Sequence, residues 1–442
     1  MGWLRERRVA LAALTLFTLL AGDFFRYLLS WFGWAAIVAL LLGAWVTLAI
    51  RSRVDPRRVP IALAAFLVLA VASTAWSAYP LTTLLAVVTT LATAFGGVMM
   101  AATLTLDQVI RALGVAVRWI IGLSLAFEFI VATLIRGPVL PFWVDYEPPI
   151  PRAFYWSRGE LFEVFGDGRI QGIVGNANLL AAAAALGLIV FAIQLIDRRI
   201  PRVTAWFWVG ASVVTLLLTQ SATVTVALAG CAFTLGIVVA ARRFARRERR
   251  MLYAAAVGTG VLGTVAAMAL REPLLALLGR SGDLTNRVDI WAAVIELWQE
   301  RPVGGWGWIS YWAPWVEPYN DLAVINGVTY LQAHSAWLDV LLQLGVLGLA
   351  LFTVLVVTTV LRCASWSIDP ASGEVQHSPA LRAFPALLVT LLIVQSFAES
   401  RLLIEGGLVL FTYLAVASMR AGLPPIAPSA PLPVRAPDGA SR

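Results

Sequence analysis

Apolar residues recur along this chain in runs long enough to cross a bilayer as helices, separated by short polar or arginine-rich breaks. The runs and their flanks predict twelve helices, over about residues 9–29, 31–50, 60–78, 82–104, 115–135, 178–196, 203–219, 222–241, 252–270, 336–361, 383–398 and 403–419. A membrane β-barrel would show short alternating segments instead. The expected fold is therefore all-α and polytopic, with about twelve transmembrane helices. The opening MGWLRERR and its apolar run resemble a signal peptide, but no small-residue cleavage site follows convincingly, so the run reads as a retained first helix. Two connections are long, 136–177 and 271–333, and both are rich in Trp, Tyr and Phe. Long loops in compact proteins tend to be functional. Residues 1–419 read as one membrane domain without repeats. Residues 420–442 form a Pro-rich tail with no apolar pattern, expected to be disordered.

Composition strengthens this reading. Of 442 residues, 60% are hydrophobic and 13% charged, against roughly a quarter charged in soluble domains. A water-soluble enzyme is excluded. Net charge is +8, and all 33 basic residues are arginine. Arginine marks cytoplasmic loops. With both termini cytoplasmic, 23 arginines fall inside and 10 outside. The loops around Arg158 and Trp312 are then expected outside, and those around Arg246 and Glu374 inside. The protein is expected in the cytoplasmic membrane with its active site on the outer face. Cys231 in an apolar run and Cys363 in a loop beyond another are not expected to pair, and two histidines cannot build a histidine metal cluster.

The outer loops hold the candidate chemistry. The stretch TNRVDIWAAVIELWQERP has helical periodicity, with Val288, Trp291, Ile295 and Trp298 on one face and Asp289, Glu296 and Glu300 on the other. Asn286 is the expected N-cap, with the amphipathic helix lying at the outer membrane boundary. Arg287 would then oppose the helix dipole in the first turn. It either pairs with Asp283 or Asp289 or stands where an anion binds. His334 is the lone histidine of the outer side. It precedes Ser335, Asp339 and Gln343, an i, i+4, i+8 polar stripe that must face the bundle interior or a wet cavity. It is either an interfacial histidine or a general base, with Asp339 a candidate orienter. Arg169, Asn176 and Asn178 lead into the sixth helix. Asn178 either caps that helix or serves a site, and Arg169 is a candidate second arm of an anion clamp. Trp306, Trp308, Trp312 and Trp315 either stack on sugar rings or form an aromatic belt. Glu128 reads as a hydrogen-bonded core acid or a proton relay. Gln220 and Ser221 are weaker candidates, Glu399 and Arg401 are expected to pair with each other, and His377 has no assigned role. The sequence shows no P-loop, paired-metal carboxylate motif or nucleophile elbow.

Together the segments WSAYP (76–80), GRIQGIVGNAN (168–178), NRVDIW (286–291), RPVGGWGW (301–308) and HSAWLDVLLQLGVLGL (334–349) resemble the O-antigen ligase and polymerase superfamily of polytopic glycosyltransferases. The chain departs from that pattern at Ser335, where the family usually has Asn. The resemblance implies about twelve helices, with an outer helical subdomain between the ninth and tenth. It implies metal-independent, inverting transfer of a glycan from undecaprenyl diphosphate to an acceptor, without a cofactor. Arg169 and Arg287 match the arginines that hold the diphosphate, and His334 matches the histidine that activates the acceptor hydroxyl. Asn176, Asn178, Trp291 and Asp339 complete the expected substrate-binding set. The expected partners are the lipid-linked glycan donor, a glycan, lipid or protein acceptor, and the bilayer, with no nucleic acid. The alternative is a polytopic transporter or lipid-linked glycan flippase, whose coupling site would lie near the midplane.

Overall fold

The structure, a computed structural model, describes residues 2–52, 58–163, 168–245, 247–269, 282–325, 327–369 and 377–420. The expected inner positions Arg246 and Glu374, the connection 270–281 and the tail from 421 lie outside them. Among the described residues the fold is all-α, with thirteen helices and one two-residue-stranded hairpin, β1 (Val324–Ile325) and β2 (Val328–Thr329). The helices are α1 (Gly2–Leu20), α2 (Gly22–Ser52), α3 (Ile61–Ala72), α4 (Pro80–Thr103), α5 (Leu106–Ile130), α6 (Ala177–Ile196) and α7 (Arg202–Thr219). They continue as α8 (Ala222–Ala241), α9 (Arg249–Ala269), α10 (Gly282–Glu300), α11 (Ala336–Ile368), α12 (Pro379–Ser396) and α13 (Glu405–Arg420).

Eight of these helices, α2, α4 to α8, α11 and α12, are long and apolar enough to cross a membrane. The protein is thus a multi-pass membrane protein, while a count of twelve spans is not reached by that measure. Helices α3 and α13 are apolar but shorter.

Several boundaries move for identifiable reasons. The expected 9–29 helix is broken at Ala21, and α2 is bent again at Ser30, whose φ is 68°. Helix α5 begins at Leu106 rather than 115, because Thr105 and Gln108 close a capping box. Helix α11 continues to Ile368, so Cys363 is helical and buried, and both cysteines are free.

The main apolar core runs through α1, α4, α5, α6, α8 and α11 to α13. A second, smaller core joins α10 to the segment that follows it, with Ile290, Val294, Leu297, Trp312 and Tyr319 inside. The buried face of α10 is therefore Ile290–Val294–Leu297, flanked by Trp291 and Trp298. Val288 and Ile295 of the expected apolar face are exposed.

Helix α11 carries this small core on an interruption. At Gly345 the backbone takes φ 64°, ψ −163°. The carbonyls of Leu342 and Gln343, released from helical bonding, accept from Trp306 N (3.1 Å) and Gly307 N (2.9 Å). Val346 N and Leu347 N in turn donate to the Pro302 and Val303 carbonyls. The Gln343 side chain accepts from Ile309 N and Ser310 N. Two peptide segments can lie this close only without side chains between them. A Cβ on Gly345 would sit 2.1 Å from the Val303 carbonyl oxygen, and one on Gly305 2.4 Å from the Gln343 carbonyl carbon. The same loop is held from the other side by the WSAYP segment. Trp76 Nε1 donates to Gly304 O, and the Tyr79 hydroxyl reaches Gly307 O and, at 2.6 Å, the Tyr319 hydroxyl.

Gly345→Ala should therefore lower thermal stability strongly. The left-handed backbone alone costs about 1–2 kcal/mol, before the clash. Gly236→Ala, at a helical position with no atom near the added Cβ, is the control. Melting of the two purified variants in detergent checks this, and equal melting temperatures would refute it.

Candidate functional site

At the end of the bundle where α4, α6, α11 and α13 begin, three side chains from separate parts of the chain meet on one carboxylate, and two more join through one of them. Glu399 lies in the turn between α12 and α13 and is 3% exposed. Its Oε1 accepts from Asn178 Nδ2 (3.0 Å) and Arg287 Nη2 (3.2 Å). Its Oε2 lies 3.3 Å from His334 Nδ1. Asn178 extends the network, because its Oδ1 accepts from Arg169 Nη2 (3.1 Å) and Ser221 Oγ (2.9 Å). Arg169, Arg287 and His334, picked separately in sequence, are thus joined through Asn178 and Glu399.

Each side chain is set by local structure. Glu128 of α5 is buried and receives Gln171 N (2.9 Å), Gly172 N (2.6 Å) and the Ser157 hydroxyl (2.6 Å). It is a clamp that holds the loop carrying Arg169. Arg169 Nε also donates to the Thr219 carbonyl at the end of α7. Asn176, not Asn178, caps α6, accepting from Asn178 N and Leu179 N. That leaves the Asn178 side chain to the network.

Arg287 is not in a first helical turn, because α10 begins at Gly282 rather than at Asn286. Arg287 therefore does not oppose the helix dipole from a first turn. Its carboxylate partner is Glu399, 112 residues downstream, rather than Asp289, while the Asp283 side chain lies outside what the structure describes. One turn along α10, Trp291 Nε1 donates to the Ala333 carbonyl (2.9 Å). Trp291 thereby fixes the residue before His334 instead of presenting itself to a ligand.

His334 has φ 49°, in the left-handed region that His tolerates better than bulkier residues. Its ring meets Tyr330 edge-on at 5.6 Å. Its carboxylate partner is Glu399 and not Asp339. Asp339 is fully buried and occupied by Trp312 Nε1 (2.7 Å), Ala333 N (3.2 Å), Gln343 Nε2 (3.3 Å) and the Ser400 hydroxyl. The polar stripe 335–339–343 faces this packed subdomain, not a wet cavity. Asp339 supports the peptides on both flanks of the site.

Of the tryptophans considered for sugar stacking, Trp308 and Trp312 are fully buried and Trp306 packs under Arg301, whose guanidinium lies 4.3 Å from the ring centre. Trp315 is exposed. The expected Glu399–Arg401 pair is not formed. Arg401 pairs with Glu405 and Asp23 instead. Sequence reading missed the role of Glu399 because spacing along the chain does not connect it to residues 178, 287 and 334. The available signal was an acid in a short turn between apolar runs, which burial would force to find partners.

The electrostatics suit an anion-binding, proton-accepting centre. Burial pushes the Glu399 carboxyl up, but His334, Arg287 and the Asn178 amide outweigh it and hold it below the ordinary carboxylate value. Glu399 is therefore ionised. With Nδ1–H donating to it, the other ring nitrogen of His334, Nε2, keeps its lone pair. The Arg169 and Arg287 guanidiniums, joined through Asn178 and Glu399, present planar forks of the kind that hold phosphate oxygens. Among the described residues no group of three His, Cys, Asp or Glu could hold a metal. An apolar cleft lined by Leu179, Leu186, Leu391 and Leu410 opens beside Glu399 and Arg401.

A carboxyl held low in the folded state stabilises the protein fully above its unfolded value, and this contribution is lost as pH falls through the folded value. Glu399→Gln, which does not titrate, should therefore show a shallower acid-side fall in melting temperature than wild type between about pH 6 and pH 3. Parallel curves would show that Glu399 is not the linked group.

Residues 207–353 match the family model described as O-antigen ligase. Over 157 residues the chain is 28% identical to the exopolysaccharide production protein ExoQ of Rhizobium meliloti (strain 1021), which covers 32% of this chain and 34% of that protein. The similarity thus spans about a third of the relative's length. The family match contains Arg287, Trp291, His334 and Asp339, while Arg169, Asn178 and Glu399 lie outside it.

Proposed function

We propose, from the match of residues 207–353 to the O-antigen ligase family model together with the site geometry, that the chain is a membrane glycosyltransferase of surface polysaccharide assembly. It transfers a glycan from an undecaprenyl-diphosphate carrier to an acceptor on the outer leaflet. The observation that carries this reading is the junction of Arg169, Arg287 and His334 through Asn178 and Glu399. Opposed guanidiniums suit a diphosphate leaving group, because each presents a planar fork to phosphate oxygens. The apolar cleft beside Glu399 suits the polyprenyl chain.

In the reaction, the acceptor hydroxyl oxygen bonds to the anomeric carbon as that carbon's bond to the phosphate oxygen breaks. The electron pair of the broken bond leaves with the diphosphate, where Arg169 and Arg287 stabilise it. The acceptor proton passes to His334 Nε2. Glu399, on Nδ1, orients the ring and stabilises the imidazolium, as the acid of a catalytic triad does. Asn178 and Trp291 are positioning residues, and Asp339 supports the loop that carries the histidine. No metal or cofactor is assigned a step.

Transfer by the purified protein from a lipid-linked glycan donor tests the reading. His334→Gln keeps a hydrogen-bonding side chain but cannot take the proton, so the rate should fall by roughly 10²–10⁴-fold with donor binding retained. A near-normal rate would make His334 a positioning residue. Movement of the glycan across the bilayer without bond change would indicate a flippase instead.

Arg287→Lys keeps the charge and loses the fork, and should be nearly as defective as Arg287→Ala. Recovery of donor affinity and rate by the lysine variant would reduce Arg287 to a generic charge. Transfer should also persist in EDTA. Loss on chelation, restored by one divalent ion, would overturn the arginine clamp.

A further inference from the structure

Beside the Ser400–Leu403 turn that follows Glu399, a second polar cluster closes into a ring of four charges. Arg26 binds Asp23 (2.6 Å) and Glu405 (2.5 Å). Arg401 binds Glu405 (2.8 Å) and Asp23 (3.4 Å). The four residues come from the start of α2, the start of α13 and the turn before it. The Arg26 guanidinium also lies over the Trp31 and Trp34 rings, at 4.8 and 5.0 Å.

This ring borders a cavity of about 180 Å³, also lined by Trp31, Trp34, Thr93 and Tyr311. Arg401 and Glu405 line both this cavity and the apolar cleft that reaches Glu399. The two hollows therefore share a wall two residues from the carboxylate that holds His334.

The cavity has the chemistry of a sugar site rather than an anion site. Two arginines and two carboxylates cancel, so a diphosphate or an anionic headgroup gains no net attraction. Carboxylate and threonine oxygens can accept from hydroxyls. Trp34 Nε1 and Arg401 Nε are buried donors with no hydrogen-bond partner among the described residues, and burying a donor unpaired is costly. Indole faces suit the apolar face of a pyranose. The volume lies below the roughly 300–1,000 Å³ of sites that enclose drug-sized ligands, so it fits one ring rather than a chain.

We infer that this cavity is the acceptor subsite, binding the terminal neutral sugar ring that receives the glycan. Its role as acceptor site rests on the glycosyl-transfer reading above; its affinity for a neutral sugar does not. Trp34 Nε1 and Thr93 donate to or accept from ring hydroxyls, Trp31 covers the ring, and the four-charge ring forms the floor.

The test uses the full chain in nanodiscs and two probes. Methyl glucoside, methyl galactoside and methyl mannoside are followed by saturation-transfer NMR, and inorganic diphosphate by calorimetry. At least one glycoside should bind. Trp34→Phe, which keeps a ring and deletes the donor, should weaken it about three- to tenfold, as expected for one lost hydrogen bond. Thr93→Val provides an independent second variant, expected to act in the same direction. Diphosphate binding should be unchanged in both, and should be lost in Arg287→Lys, which keeps the glycoside. Absence of glycoside binding to wild type, or glycoside binding unaffected by both substitutions, overturns the inference while leaving the carrier reading to the diphosphate arm. Glycoside binding without diphosphate binding leaves the sugar site standing and sinks the carrier reading alone.

Discussion

A carboxylate buried at one end of a membrane bundle has to be surrounded by donors, because leaving it without partners costs about 3–5 kcal/mol. Glu399 meets that demand with Asn178, Arg287 and His334, drawn from three segments widely separated in the chain. Satisfying one oxygen pair therefore fixes the relative positions of α6, α10 and the start of α11. The same contacts leave the functional groups poised. His334 is held by one ring nitrogen and keeps the other, and the Arg169 and Arg287 guanidiniums are fixed on the same network.

The small subdomain over the site depends on a second constraint, the opening of α11 at Gly345. A continuous helix would consume the Leu342 and Gln343 carbonyls internally. The break releases them to the Gly-rich loop after α10, and Asp339 and Gln343 tie down the backbone on either side. Trp308 and Trp312 are buried in this construction, donating to Thr90 and Asp339. Aromatic richness near a glycan site is thus partly a packing requirement of the loop. The more accessible indoles near polar groups lie elsewhere, beside Arg26.

Two polar centres flank one short turn and differ in charge balance. Around Glu399 two guanidiniums and a histidine share one network, which suits a leaving anion. Around Arg401 the charges close on themselves, which suits hydroxyls. Glu399 and Arg401, two residues apart, take different partners, so a single short segment serves both.

The sequence by itself determined what depends on local composition and period. Apolar run lengths dictated a polytopic helical bundle. The long aromatic loops, Arg169, Arg287 and His334 stood out because charged and titratable groups are conspicuous against such a background. Only the tertiary structure decided how they combine. The helix start at Leu106 depended on a capping box, and the buried face of α10 was set by the segment that folds back on it after the helix. Asp339, five residues after His334, turned toward Trp312 and Ser400. Glu399, remote in sequence, became the histidine's partner. Spacing along one helix predicts which residues share a face, but a buried charge is matched by whichever donor the fold brings near, and that pairing is a property of the assembled bundle.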